Sequence, residues 1–536
     1  MLPGGLQGMG RARHARRRDH ALFCSALLAA AAVRLVVVLG YPPALWFSDS
    51  LPYLQAVHPL SPSPVRPDGY AFFLALLAPF HSVWLVTLVQ GVMGLAIATA
   101  VYAVLRRHKL SGGAATLAAA PVLFSVYELQ LEHYVLSDTL FGLLVTVAVV
   151  IMLWRPDPSV WICALTGVVL AWAILDREQG ILIPVAFGLY LCAQIARHIR
   201  VRAILLRVVA MGMTLAVPVL GYAWWFEQSN GSFALTSSTG VFLYSRVSTF
   251  AQCSLIKPPA DETWLCISTA PGKRPGPNFY AWSVTSPINV RPPGGSEFDP
   301  QANRLATNFA LRAIQAQPGD YLGAVWRSTR ENFELQFKGS AAWSSERRYR
   351  FPATTPGPLR ALARFNRELP GYTSGYNYNG RRDPSTRIVQ PFARWIGVYQ
   401  RFVILPGFLL ALIALAGLMG IITEWRRLGG PALLPWLTGA VLIITPAATT
   451  GYGARYLVAS IPAFCIAAAL GLKQISTERT DLPAVTGPPE DGEYGEQCFP
   501  GLLTGAGVPC ERSPRQDRAG HQLLQNQAIC RSRCGS

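Results

Sequence analysis

Charge is what this chain has least of. Only 14% of its 536 residues are Asp, Glu, Lys or Arg, where a soluble domain carries about a quarter. A chain of this length cannot cover itself with so little ionic surface, which excludes an ordinary soluble fold and makes lipid part of its solvent. Acids are scarcer than bases, 29 against 47, and the net charge is +18. The excess does not gather into one patch. It falls in short clusters between apolar runs, as in 11–18 (RARHARRR), the pattern of cytoplasmic loops facing anionic headgroups. No nucleic-acid partner is expected. Internal repeats of 20–50 residues are absent, which excludes solenoids. Of the ten cysteines, Cys24, Cys163, Cys192 and Cys465 lie in apolar runs as packing residues, and Cys498, Cys510, Cys530 and Cys534 read as free thiols in a polar tail. Cys253 and Cys266 share a long polar loop and form a disulfide if that loop faces an oxidising compartment.

What is present is apolar sequence, 51% of the chain. Runs able to cross a bilayer lie at roughly 21–41, 84–105, 113–127, 137–154, 159–175, 181–196, 203–226, 398–422, 431–450 and 455–472, against a need for about 20 residues per span. The first follows an Arg-rich segment, is long, and lacks a small-residue cleavage site, so it reads as a retained helix. From a cytoplasmic N-terminus, the cytoplasmic connections are 106–109, 155–158, 197–202, 424–427 and the tail from Lys473, nearly all of them basic. The fold class expected is therefore an all-α polytopic membrane protein of about ten transmembrane helices with both termini cytoplasmic. Its parts are a basic N-terminus (1–20), an N-terminal transmembrane module (21–226), an external soluble domain (227–397), C-terminal transmembrane helices (398–475) and a disordered cytoplasmic tail (476–536). The external domain reads as mixed α/β or irregular. It contains Trp264, Trp282, Trp326 and Trp343, with a helical pattern at 303–336.

Polar chemistry concentrates on the external loops. The first holds Asp49 and Tyr53 in FSDSLPY and then RPDGYAFFLALL (66–77), with Arg66 and Tyr70, where a polar turn runs into a surface-lying helix. The second reads YELQLEHYVLSDTLF (127–141), with Glu132, His133 and Asp138, the last read as a helix cap. The third is the turn Asp176-Arg177-Glu178-Gln179-Gly180, and the fifth is GYGARYL (451–457), with Arg455 and Tyr456.

Taken together these motifs resemble the GT-C class of membrane glycosyltransferases, whose relatives include protein O-mannosyltransferases, aminoarabinose transferases and actinobacterial arabinofuranosyltransferases. The resemblance covers about residues 20–475 and implies a GT-C-like architecture in a bacterial plasma membrane. It implies inverting transfer of a sugar from a polyprenyl-phosphate carrier to a glycan, lipid or protein acceptor. Asp49 would then be the general base, with Glu132 as a second catalytic candidate. Arg66, Arg177 or Arg455 would cradle the phosphate, and Tyr53, Tyr70, His133 and Tyr456 would bind substrate. Many members carry paired acids in loop one, whereas Ser48 and Ser50 flank a lone Asp49 here. The residues specify no certain cofactor, and a lone Asp with nearby Glu residues leaves room for a divalent cation held with waters. The alternative function is a transporter or flippase of a lipid-linked or small polar substrate, which would favour repeats and midplane polar groups.

Overall fold

In the computed structural model, residues 4–480 are described, apart from 58–59, 198, 291, 335–349, 355–385, 426–427, 429 and 452. The apolar runs fold as helices wherever a cap or a breaker sets their ends. The first set is α1 (Gly4–Gly40), α2 (Ser50–Gln55), α3 (Gly69–Leu77), α4 (Val83–Arg107), α5 (Gly112–Phe124), α6 (Val126–His133), α7 (Asp138–Leu153), α8 (Val160–Asp176), α9 (Ile183–Ala193) and α10 (Val201–Asn230). The hydroxyls of Ser82, Ser111 and Ser159 accept the first free N–H groups of α4, α5 and α8, the usual N-cap economy. Gly231, at φ 73°, closes α10 in the left-handed conformation.

Among the described residues, five helices are long and apolar enough to cross a membrane, including His20–Gly40, Val83–Arg107 and Val201–Asn230, and the bent pair α5–α6 makes a sixth if it counts as one span. The chain is thus a multi-pass membrane protein. Along α10, Leu205, Val209, Met213, Val217 and Leu220 stay exposed, an apolar stripe that water would not tolerate and lipid does. The expected spans at 137–154, 159–175, 181–196 and 398–422 are all helical but shorter, 10–17 residues each. By length and composition alone, five or six helices among the described residues pass as full-length spans, with these shorter apolar helices beside them.

The second polar loop is not a loop. Residues 126–133 form α6, turned 50° from α5 at Ser125, and Glu128, Glu132 and His133 are buried. The reason lies far away in sequence. Arg34, inside α1, donates to Glu132 Oε1 at 2.6 Å and to the carbonyl of Leu123 at 2.9 Å. A charge inside a span and a carboxylate in what read as a loop neutralise each other.

Between the two sets of apolar helices lie α11 (Thr239–Val247), α12 (Cys253–Ile256), α13 (Pro277–Trp282), α14 (Pro287–Val290), α15 (Pro300–Ala316) and α16 (Pro318–Glu331). They enclose their own core, centred on Val241, Tyr244, Leu265, Ile288 and Phe309. Cys253 and Cys266 are joined by a disulfide at its edge. Among the described residues this segment has no strand, so of its two expected forms the irregular helical one holds. The helical pattern at 303–336 is split at Pro318, which lacks the N–H to continue α15. Trp264 and Trp282 pack against the core, Trp326 is exposed, and Trp343 lies outside the described residues. The chain closes with α17 (Phe392–Tyr399), α18 (Gly407–Thr423), α19 (Leu433–Thr449), α20 (Ala454–Val458) and α21 (Ile461–Thr480). The tail expected to be disordered lies outside the described residues from 481 onward.

Candidate functional site

The first loop leaves α1 and is pinned to the end of α6. The Leu45 N–H donates to the carbonyl of His133 (2.9 Å), and the Val135 N–H donates back to the carbonyl of Leu45 (3.3 Å). This sets Asp49 at the N-cap of α2, 7% exposed. Two guanidiniums meet one of its oxygens. Nη2 of Arg455, from α20, donates to Oδ2 at 2.7 Å, and Nη2 of Arg66 donates to the same Oδ2 at 3.1 Å. Burial alone would raise the Asp49 carboxyl, but Arg66 and Arg455 outweigh it and hold the group well below the usual carboxylate range. Residues 49, 66 and 455 thus form one ionised cluster carrying one negative and two positive charges.

Arg177 joins this cluster across an aromatic ring. Its guanidinium carbon lies 5.4 Å from the Tyr456 ring centre and that of Arg455 lies 5.3 Å from it, both within cation–π range. Arg177 forms an ion pair with Asp138. Asp138 opens α7 with no side-chain cap bond, so its role is that pair rather than the expected cap. Arg66 is seated at 4.9 Å over Phe242, from α11.

Two chambers flank Arg66. The first, about 380 Å³, is bounded by Asp49, Arg455 and Tyr456 on one side and by Asn278, Trp282 and Phe298 on the other. The second, about 330 Å³, is bounded by Tyr53, Arg177, Glu178, Ile181, Leu235 and Thr449. Val65, Arg66, Phe242 and Thr450 belong to both walls.

Four residues of the RPDGY segment (66–70) have identifiable anchors. Arg66 reaches Asp49, and Asp68 accepts a bond from Tyr222. Gly69 lies so close to the end of α8 that a Cβ there would sit 2.5 Å from the Asp176 backbone nitrogen. The Tyr70 hydroxyl donates to Gln90 at 2.6 Å, and Gln90 in turn donates to the carbonyls of Glu132 and Tyr134. Tyr70 is therefore buried packing rather than chamber wall. Tyr53 does border the second chamber, its hydroxyl 2.9 Å from that of Ser137, and burial pushes its phenol up to about 12.

The structure brings Asp49, Tyr53, Arg66, Arg177, Arg455 and Tyr456 together and leaves out Glu132 and His133. Glu132 is committed to Arg34, and His133 Nε2 is bonded to the carbonyl of Tyr41 at 2.8 Å; neither borders a chamber. Sequence reasoning singled out Trp282 only as one of four Trp residues of the external segment, and it missed Phe242, Asn278, Phe298 and the hydroxyls of Thr445, Thr449 and Thr450, which come from segments with no distinguishing pattern. Among the described residues no group of three His, Cys, Asp or Glu side chains is placed to hold a metal ion. Asp49 already faces two cations, so the donor set suits an anion rather than a divalent cation.

No family model matches the chain, and no curated protein is similar to it. Among solved structures, the oligosaccharyltransferase of Archaeoglobus fulgidus in the apo form aligns with 85% of this chain and 51% of its own length, at 12% identity and a TM-score of 0.40. The same protein tethered with an acceptor peptide aligns at a TM-score of 0.39, over 85% of this chain and 50% of its own. ArnT from Cupriavidus metallidurans, bound to undecaprenyl phosphate, gives a TM-score of 0.34 at 12% identity, over 86% of this chain and 78% of its own. The chain thus spans about half the length of the oligosaccharyltransferase.

Proposed function

We propose that this protein is an inverting glycosyltransferase that takes its sugar from a polyprenyl-phosphate carrier and passes it to a glycan, lipid or protein acceptor at the external face of a bacterial plasma membrane, with both termini cytoplasmic. The observation that carries the reading is the convergence of Arg66 and Arg455 on one oxygen of Asp49, with Arg177 behind Tyr456. Arg66 and Arg455 bring two guanidiniums to one place, and a phosphate is the anion that Arg forks hold best. The second chamber, edged by exposed Ile181 and by Leu235, suits the apolar beginning of the carrier. The first, roofed by Trp282 and Phe298, suits the acceptor.

The reaction is a displacement at the anomeric carbon. The acceptor oxygen forms the new bond to that carbon, and its proton passes to the Asp49 carboxylate. The bond from carbon to the phosphate oxygen breaks with its electron pair, and the charge that develops there is stabilised by the arginines. A phosphate leaves as a stable anion, so no general acid is needed. The ionisable groups gather at helix ends around two chambers, and the one charge deep in α1 is consumed by Glu132, which gives a transporter no polar path to use. The test is sugar transfer in proteoliposomes from a panel of polyprenyl-phosphate sugars, comparing wild type with Asp49→Asn. A loss of about a hundredfold or more is expected for one catalytic proton acceptor. Equal turnover by the two proteins would remove Asp49 from the mechanism.

A further inference from the structure

Asp68 sits in the middle of the RPDGY segment but borders neither chamber. It is 1% exposed. Its Oδ2 accepts the Tyr222 hydroxyl at 2.9 Å and the Ser63 N–H at 3.1 Å, while Oδ1 has no partner. No cation among the described residues pairs with it. A buried acid with two hydrogen bonds and no counter-charge is costly, and an apolar or amide side chain would be cheaper. Such groups collect where function needs them.

What its two bonds hold is the loop that carries Arg66. The Ser63 bond closes the chain across residues 63–68, and Tyr222 ties that closure to α10. The same loop is held upstream by Asn230, which donates to the Pro62 carbonyl at 3.2 Å, and by the Ser237 N–H, which donates to the Pro64 carbonyl at 2.9 Å. Downstream, Trp172 Nε1 donates to the Gly69 carbonyl at 3.2 Å, and Gly69 abuts the backbone of residues 175–176. Arg66 is the charged residue of this stretch that belongs, with Val65, to the walls of both chambers.

We propose that Asp68 is a positioning residue, which closes the 63–68 loop against Tyr222 and thereby fixes Arg66 at the place where its guanidinium meets the donor phosphate. This rests on the phosphate reading of Arg66 given above. It also makes the clamp sensitive to pH. Burial pushes the Asp68 carboxyl up to about 7, with the bonds from Tyr222 and Ser63 opposing. The titratable group facing it is Tyr222 from α10, on which Glu178 also acts; Arg66 on its own loop is turned to Asp49. Closure buries this carboxyl, and once it is ionised that burial costs more than its two bonds return, so the clamp is tightest below about 7 and loosens as pH rises through it.

The experiment measures binding of a polyprenyl monophosphate to the full-length protein in nanodiscs at pH 6 and pH 8, for wild type, Asp68→Asn, Asp68→Ala, Tyr222→Phe and Arg66→Met. At pH 6 Asp68→Ala weakens binding about tenfold, the equivalent of the hydrogen bonding lost, with Tyr222→Phe between it and wild type. Asn keeps acceptor bonds without the charge, so it recovers most of the affinity that Ala loses and shows none of the loss that wild type shows between pH 6 and pH 8. The titration of the probe is common to all proteins and cancels in their ratios. Asp68→Ala binding like wild type at both pH values would overturn the proposal. So would Asp68→Asn reproducing the wild-type pH ratio, a comparison that stands even if the Ala variant does not fold. No binding by wild type, or undiminished binding by Arg66→Met, would instead sink the phosphate reading itself.

Discussion

Replacing Glu132 by Gln separates a structural from a catalytic role for the second acid that the sequence pointed to. In the structure the Glu132 carboxylate receives Arg34 Nη2 at 2.6 Å, and both side chains are buried, at 2% and 6% exposure. Arg34 also donates to the carbonyls of Leu123 (2.9 Å), Ala30 (3.3 Å) and Val122 (3.4 Å). The pair occupies space that a glycine leaves open, since a Cβ on Gly94 would lie 1.8 Å from Glu132 Oε1. Breaking a buried ion pair by removing one partner costs about 3–5 kcal/mol. Arg34→Met falls in that range, because it strands the carboxylate. Glu132→Gln falls at the lower end, because Arg34 keeps its three carbonyl acceptors and the amide oxygen can still accept. Combined, the two substitutions destabilise by less than the sum of the singles, with a coupling of about 1–3 kcal/mol. Thermal unfolding in detergent reads the stability, and sugar transfer per folded molecule reads the chemistry. The expected result for Glu132→Gln is a lowered melting temperature with transfer within about threefold of wild type. Transfer lost about a hundredfold at unchanged stability would restore Glu132 to the reaction and refute the structural assignment.

The Cys253–Cys266 disulfide closes a loop with a sequence separation of 13 at the edge of the segment's own core. Its replacement by two serines is expected to cost about 3 kcal/mol from loop length, seen as earlier melting that reductant no longer shifts; unchanged melting would mean that the core alone holds the segment. Asp68 predicts a pH dependence of stability. Its carboxyl rises from the ordinary value of 3.8 to about 7 on folding. The unfolded chain therefore loses this proton first, and stability falls as pH climbs from about 4 to about 7, then levels. At about 1.36 kcal/mol per pH unit the gap is worth about 4 kcal/mol. Melting of the wild type should decline between pH 5 and pH 8 and that of Asp68→Asn should decline less; parallel curves would contradict the raised value.

The helices were legible because lipid demands long apolar runs, and caps such as Ser82 and Ser159 mark their beginnings. The short motifs were legible for a related reason: Asp49, Arg66, Arg177 and Arg455 are polar residues at the ends of such runs, where burial makes a charge expensive unless it has a use. What stayed hidden depends on pairing across the chain. Glu132 read as a site residue because its partner, Arg34, lies 98 residues away and looked like an isolated charge. Asp138 read as a cap because nothing in YVLSDTLF announces Arg177. Asp68 drew no notice, although its neighbours in RPDGY did, because its value lies in closing a loop onto Tyr222, 154 residues on. Phe242, Trp282 and Phe298 are ordinary aromatics until the fold turns them over Arg66 and the first chamber.

The resting site poses a question about order that the geometry answers. A carboxylate held by two guanidiniums is ionised but a poor base, since taking up a proton means giving up both ion pairs. Asp49 can serve as a base only once another anion has drawn Arg66 and Arg455 away, and on the proposed reading that anion is the donor phosphate. The donor then does more than supply the sugar, because its arrival releases the group that activates the acceptor. Acceptor binding first would meet a neutralised Asp49 and gain nothing from it. Donor must therefore bind before acceptor, and a carrier phosphate without sugar should compete with the donor while failing to compete with the acceptor. Initial-rate patterns with varied donor and acceptor decide the matter. Carrier phosphate competitive against both substrates, or a random order with equal affinities, would mean that Asp49 is available from the start and that its two arginines are not what the phosphate displaces.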